Sequence, residues 1–117
     1  MKPLFIINDA LYGTEKAYNA LRMAMTIQKE DETAKIRVFL MADAATAALA
    51  NQNTPQGYYN IERMIRSVIS KVGKVKIFGT CAEARGIKDL KLIEGAELST
   101  MKELVQWTMD SDKILTF

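Results

Sequence analysis

The fold is decided by the stretch Leu4-Phe5-Ile6-Ile7-Asn8, an apolar run close to the amino terminus that stops at a polar residue. The run does not alternate between apolar and polar side chains, which is typical of a strand covered on both faces in a parallel sheet. Ile36–Met41 repeats this pattern, and Lys74–Phe78 gives a third predicted strand. Lys113–Phe117 closes the chain as a further strand, placed inside the sheet or at a subunit contact.

Segments with helical patterning separate these strands. Thr14 is a candidate N-cap for a long amphipathic helix, and Asp43 is a candidate N-cap for the alanine-rich segment 44–50. Asn60 is predicted to cap the next helix, which Gly73 is predicted to end. Residues 87–95 are compatible with either a short helix or an irregular connection.

The last helix follows a brief predicted strand at Ala96–Leu98. Thr100 and Glu103 have the spacing of a capping box at its start. Helical spacing then predicts the buried face, which consists of Met101, Leu104, Val105 and Thr108.

Strands that alternate with helices predict an α/β protein, with a three-layer sandwich around a mostly parallel, doubly wound sheet of about five strands. The chain has 117 residues, of which 49% are hydrophobic, so we expect residues 1–117 to form one domain. Strand order stays open at this point.

Composition excludes several classes of function. The net charge is +2 and the basic residues are scattered, which gives no reason to expect nucleic acid or a membrane as a partner. No apolar stretch has the length of a signal peptide core or a membrane span, and one cysteine cannot form an internal disulfide, so a cytoplasmic location is expected. The glycines match no nucleotide-binding motif, and the methionines match no metal spacing, so neither a cofactor nor a metal is expected.

Polar or reactive residues follow three of the predicted strands. Asn8 and Asp9 follow the first, Asp43 follows the second, and Cys81 follows the third. Ligands of open α/β sheets bind beyond the carboxyl ends of the strands, so these residues are candidates for a binding crevice, and Tyr12 is a candidate lining residue. The alternative is structural, with Asp43 as a helix cap and Asp9 at the end of a turn.

Cys81 is the one plausible nucleophile, because the chain has a single cysteine and no histidine. It lies in the run Gly79-Thr80-Cys81-Ala82-Glu83-Ala84-Arg85-Gly86. A helical turn at 82–85 would direct free amides at the sulfur and Arg85 would add a positive charge, and both effects favour the thiolate. Thr80, directly before the cysteine, and Gly86, five residues after it, complete the predicted site.

The whole chain resembles the DsrE family, and within it the YchN-like proteins. The supporting runs, beside the cysteine segment, are Tyr12–Glu15, Phe39–Ala44, Gly57–Asn60, Glu94–Glu97, Gln106-Trp107 and Asp112–Phe117. The resemblance implies an α/β sandwich assembled into trimers or hexamers, with the cysteine near a cleft between subunits. It also implies sulfur chemistry, since relatives in the DsrE and TusD branches carry sulfane sulfur as a cysteine persulfide in relays that serve sulfur oxidation or tRNA thiolation.

The sequence and the resemblance leave two alternative functions. In the first, the protein is a sulfur carrier or sulfurtransferase that holds a persulfide on Cys81, the family's cysteine position, and exchanges it with donor and acceptor proteins. Many similar sequences have a second cysteine where this chain has Phe78, so a thiol-disulfide oxidoreductase is disfavoured. In the second, the protein is a non-catalytic oligomer that binds a small ligand or has a regulatory role, and the cysteine is incidental.

Overall fold

A computed structural model describes residues 1–55, 57 and 59–117. Its centre is one sheet of five strands in the order β4-β3-β2-β1-β5, and every pairing between neighbours is parallel. The strands are β1 Pro3–Ile7, β2 Arg37–Leu40, β3 Lys74–Phe78, β4 Ala96–Ser99 and β5 Lys113–Thr116. The predicted α/β fold with a parallel sheet is confirmed.

Helices cover both faces of the sheet. They are α1 Lys16–Glu30, α2 Ile61–Ser70, α3 Gly79–Ala84 and α4 Met101–Asp110, together with a 3-10 helix at Ala42–Ala48. Successive side chains of a strand point to opposite faces. Phe5 accordingly belongs to the core under α1 and α2, whereas Leu4 belongs to the core under α4.

The core under α4 corrects the predicted face of that helix. Leu104 and Trp107 are buried there against the sheet, whereas Met101, Val105 and Thr108 are exposed. The helix is rotated from the predicted orientation because the Trp107 ring packs edge-on against the ring of Phe39.

Charged side chains of the sheet also hold α4. Lys76 and Arg37 have their cationic groups 5.3 and 5.6 Å from the centroid of the Trp107 ring, within the range of cation–π attraction. A hydrogen bond from Lys76 holds the pKa of the Glu103 carboxyl below its ordinary value. A hydrogen bond from Arg37 does the same for the pKa of Asp110, at 2.7 Å from its carboxylate.

Helix starts are a mixture of confirmed and wrong predictions. Asn60 caps α2 by accepting a hydrogen bond from a backbone amide, and Thr100 does the same for α4. Thr14 precedes the start of α1 by two residues, and its hydroxyl accepts from the Lys16 amide at 3.2 Å. Asp43 is not a cap, because the alanine-rich segment forms a 3-10 helix that begins one residue earlier.

The end of α2 differs in detail from the prediction. The helix ends at Ser70, and the amides of Val72 and Gly73 return to the carbonyls of Ile69 and Val68, which is a Schellman motif. The left-handed residue of this motif is Val72, with φ at 61°. Gly73 serves close packing instead, because a Cβ there would lie 2.6 Å from both the carbonyl oxygen and a methyl group of Val68. Residues 87–95 form an irregular connection, one of the two predicted possibilities.

Candidate functional site

The carboxyl ends of β1, β2 and β3 are neighbours in the sheet, so the residues that follow these strands meet at one edge. The amide of Ala44, after β2, donates to the carbonyl of Asn8, after β1, at 3.3 Å. The amide of Ala42, also after β2, donates to the sulfur of Cys81, after β3, at 3.2 Å. These two hydrogen bonds join the segments that follow β1, β2 and β3 at the carboxyl edge of the sheet.

Cys81 is the third residue of α3 and is half-buried. The helix starts at Gly79, three residues before the turn that the sequence predicted at 82–85. In the part of the chain that the structure describes, the hydrogen bond from Ala42 is the one made by Sγ. The amide directed at the sulfur thus comes from the neighbouring strand end and not from the turn that follows the cysteine.

The amide of Ala42 points at the Cys81 sulfur because Ala42 has an uncommon backbone conformation. Its φ is 49°, in the left-handed region that residues other than glycine adopt only at a cost of about 1 kcal/mol or more. Such outliers concentrate at functional sites, where the surrounding structure maintains them. Here the conformation turns the chain out of β2 and into the 3-10 helix, with the Ala42 amide directed at Cys81.

Arg85 lies one turn after the cysteine, as predicted, and its guanidinium has two hydrogen-bond partners. Nε and Nη2 donate to one oxygen of Asp43, at 3.1 and 2.8 Å, and Nη1 donates to the carbonyl of Cys81 at 3.2 Å. Arg85 and Asp43 tie α3, which carries the thiol, to the 3-10 helix, which begins at Ala42.

Thr80 and Gly86, the other two predicted residues of the cysteine segment, differ in their surroundings. Thr80 is exposed on the first turn of α3, beside the cysteine. Gly86 follows the helix with φ at 67°, so its lack of a side chain suits the turn that ends α3.

Three other predicted residues, which follow β1, contact three different segments of the chain. Asn8 donates to the carbonyl of Phe117 at 3.5 Å, which joins the ends of β1 and β5. Asp9 accepts from the Thr14 hydroxyl at 2.9 Å and lies 3.8 Å from the Lys16 ammonium. The Tyr12 hydroxyl is 3.0 Å from the hydroxyl of Thr54 and also accepts from the first amide of α2. Tyr12 therefore connects the segment after β1 to the loop before α2, whereas Asp9 contacts the start of α1 and Asn8 contacts the residue after β5.

Ala42 is the residue of this site that the sequence did not reveal. Its contribution is a backbone amide, and an alanine gives no signal of left-handed geometry. Within residues 1–55, 57 and 59–117, no group of three or more carboxylate, histidine or cysteine side chains is placed to hold a metal ion. None of the helices described there is long and apolar enough to cross a bilayer.

Fold and site together define an α/β protein that presents one free cysteine, contacted by a backbone amide, at the carboxyl edge of a parallel sheet. Residues 1–117 match the family model of the DsrE/DsrF-like family, and the chain belongs to this family. The family is associated with sulfur relay.

Known relatives agree in sequence and in fold. The protein YchN of Escherichia coli is 41% identical over 116 residues, which cover 99% of this chain and 98% of that protein. Its crystal structure superposes with a TM-score of 0.95. The protein MJ0989 of Methanocaldococcus jannaschii is 38% identical over the full length of both chains. MTH1491 of Methanobacterium thermoautotrophicum shares the fold, with a TM-score of 0.79 at 11% identity over 99% of this chain and 98% of that one.

Proposed function

We propose that the protein is a sulfur carrier that accepts sulfane sulfur as a persulfide on Cys81 and passes it to an acceptor thiol. The Cys81 thiolate attacks the terminal sulfur of a donor persulfide, the donor's S–S bond breaks, and the donor leaves as a thiolate. An acceptor thiolate then attacks the terminal sulfur of the Cys81 persulfide, and Cys81 leaves as a thiolate. Each step exchanges one thiolate for another, so no external oxidant or reductant is needed.

The observation that carries the proposal is the hydrogen bond from the Ala42 amide to the Cys81 sulfur, at 3.2 Å. A donor held at a titratable group favours the ionised form of that group. The same donor serves both steps, because Cys81 is a thiolate before it attacks the donor and again when it releases sulfur to the acceptor. Arg85 and Asp43 act as positioning residues, since their ion pair joins the two segments that bring amide and sulfur together.

The rest of the chain favours transfer over other thiol chemistry. Cys81 is the single cysteine, so a persulfide cannot be resolved as a disulfide within the chain. The chain has no histidine, so a Cys-His dyad cannot form within one copy. The proposal places the protein in a reducing compartment such as the cytoplasm, with a sulfur donor protein and an acceptor protein as partners.

We further propose that the chain assembles into homotrimers or homohexamers through the outer face of α4. Met101, Val105 and Met109 are spaced four residues apart, so they share one face of the helix, and they are 49%, 46% and 81% exposed. Light scattering should show an assembly that Val105→Glu weakens and that Leu90→Glu, at an exposed apolar residue remote in sequence, leaves intact. A monomeric wild type would contradict this.

Intact-mass spectrometry tests the transfer proposal. After incubation with a sulfane-sulfur donor, the wild type should gain about 32 daltons, the mass of one sulfur atom, and lose it on reduction. Cys81→Ser should gain nothing, and prior alkylation of Cys81 should block the gain. A wild type that stays at its original mass would exclude the carrier function and favour the non-catalytic alternative.

A further inference from the structure

A cavity of 530 Å³ lies between α1 and α2. It is on the sheet face opposite α4, since both of its helices contribute to the core on that side. Tyr18 and Arg22 of α1 form one side, and Tyr59, Arg63 and Met64 at the start of α2 form the other. Its volume is in the range of pockets that bind small molecules.

The charged side chains among the described residues that line the cavity are both arginines. Three of the five arginines of the chain have carboxylate partners, namely Arg37, Arg66 and Arg85. The remaining two, Arg22 and Arg63, form no ion pair within the described residues, and both line this cavity. Among the residues that the structure describes, no aspartate or glutamate lines it. Two guanidinium groups at one cavity without a carboxylate favour an anion, which guanidinium groups bind with two parallel hydrogen bonds.

The walls of the cavity suit the apolar part of a ligand. The rings of Tyr18 and Tyr59 are stacked, with centroids 4.0 Å apart, and the Arg22 guanidinium lies 5.3 Å from the centroid of Tyr18. Met25 and Met64 add thioether side chains, which adapt to irregular apolar shapes. A site of this composition recognises an apolar or aromatic body that carries an acidic group.

We propose that this cavity binds a small organic anion, with its phosphate or carboxylate on Arg22 and Arg63 and its apolar body against the tyrosines and methionines. The site is separate from Cys81 and does not depend on the sulfur chemistry proposed above. Binding would link α1 to the start of α2.

The test is an NMR titration of the full chain with phenyl phosphate, benzoate, inorganic phosphate and phenol. Phenyl phosphate or benzoate should shift resonances of α1 and of the start of α2, and should bind about tenfold more tightly than inorganic phosphate or phenol, because only the first two offer both groups. Comparing phenyl phosphate with benzoate identifies the preferred acid.

Arg22→Gln and Arg63→Gln should each weaken binding by about tenfold or more, the loss expected for a charged hydrogen-bonding partner. Arg66→Gln is the matched control, because Arg66 is an arginine of α2 that is paired with Glu62, and binding should persist. The unperturbed spectra of the variants verify their folding. The proposal is overturned if the four probes leave α1 and α2 unshifted at millimolar concentration, or if both glutamine variants bind as tightly as the wild type.

Discussion

Removal of the Ala42 N–H should slow the reaction of Cys81 with electrophiles. The change that isolates this group is replacement of Ala42 by lactic acid, which substitutes an ester oxygen for the amide nitrogen and keeps the side chain. In the described part of the chain, that N–H has the Cys81 sulfur as its hydrogen-bond acceptor. The backbone conformation at φ 49° can therefore be retained while the donor is lost.

The size of the effect follows from this contact. A hydrogen bond to a charged group contributes about 1.5–3 kcal/mol, and sulfur is a weak acceptor, so we take the lower end of that range. Because the thiolate is the reactive form, loss of a hydrogen bond of this strength should slow alkylation, and the higher nucleophilicity of a less stabilised thiolate offsets about half of the effect on a logarithmic scale. Alkylation by iodoacetamide at neutral pH should therefore slow by about threefold.

The assay is the rate of alkylation, followed by mass spectrometry under conditions where the reagent is in excess. The matched control is the same replacement at Ala44, whose amide donates to the carbonyls of Met41 and Asn8 and not to sulfur. The control should alkylate at the rate of the wild type even if its stability falls. An unchanged rate in the Ala42 ester, with the fold intact by circular dichroism, would refute the role of this amide.

Three further predictions concern stability. Gly73→Ala should lower the melting temperature by about 8 °C. A Cβ 2.6 Å from the backbone oxygen of Val68 costs about 2 kcal/mol, and the melting temperature of a chain of this size shifts by about 4 °C per kcal/mol. An unchanged melting temperature would contradict the close packing at Gly73. Val72→Asn should raise the melting temperature, measured by calorimetry, by about 4 °C. Asparagine tolerates the φ of 61° that strains valine, and little packing is lost because the side chain is 85% exposed. The urea concentration at the unfolding midpoint should decrease as the pH is lowered from about 6 to about 3. Glu103 and Asp110 have lowered pKa values in the folded state, so the stabilisation that they give is present above their ordinary pKa values. This stabilisation is lost as the pH falls through their pKa values in the folded state. The variant with both Glu103→Gln and Asp110→Asn should lose less on acidification, and an equal loss would assign the acid sensitivity to other groups.

Much of the fold follows from local patterns in the sequence. The continuous apolar run at 4–8 predicted a strand buried on both faces, and Phe5 and Leu4 do belong to cores on opposite sides of the sheet. Asn60 and Thr100 were predicted as caps because the capping interaction is encoded within four residues. Strand order was open because it depends on pairings between distant segments.

The candidate site was predictable only in part, for physical reasons. The position of Cys81 after the third predicted strand placed it at the carboxyl edge of the sheet, and in the structure it follows β3. The partner of Arg85 did not follow from sequence, because Asp43 lies 42 residues away and is brought near by the pairing of β2 with β3. The predicted buried face of α4 was wrong because the hydrophobic pattern did not identify Trp107 as a residue of that face. Its burial depends on contacts with Phe39, Arg37 and Lys76, which are distant in sequence.

A single-turnover chase measures both the acceptance and the release of sulfane sulfur by Cys81. Protein loaded with sulfur on Cys81 is separated from the donor and mixed with a small acceptor thiol, and both products are followed by mass spectrometry. We expect the protein to return to its original mass while the acceptor appears as a persulfide. Loaded protein that keeps its extra sulfur, or that becomes a mixed disulfide with the acceptor while sulfide is released, would exclude transfer of sulfane sulfur by Cys81.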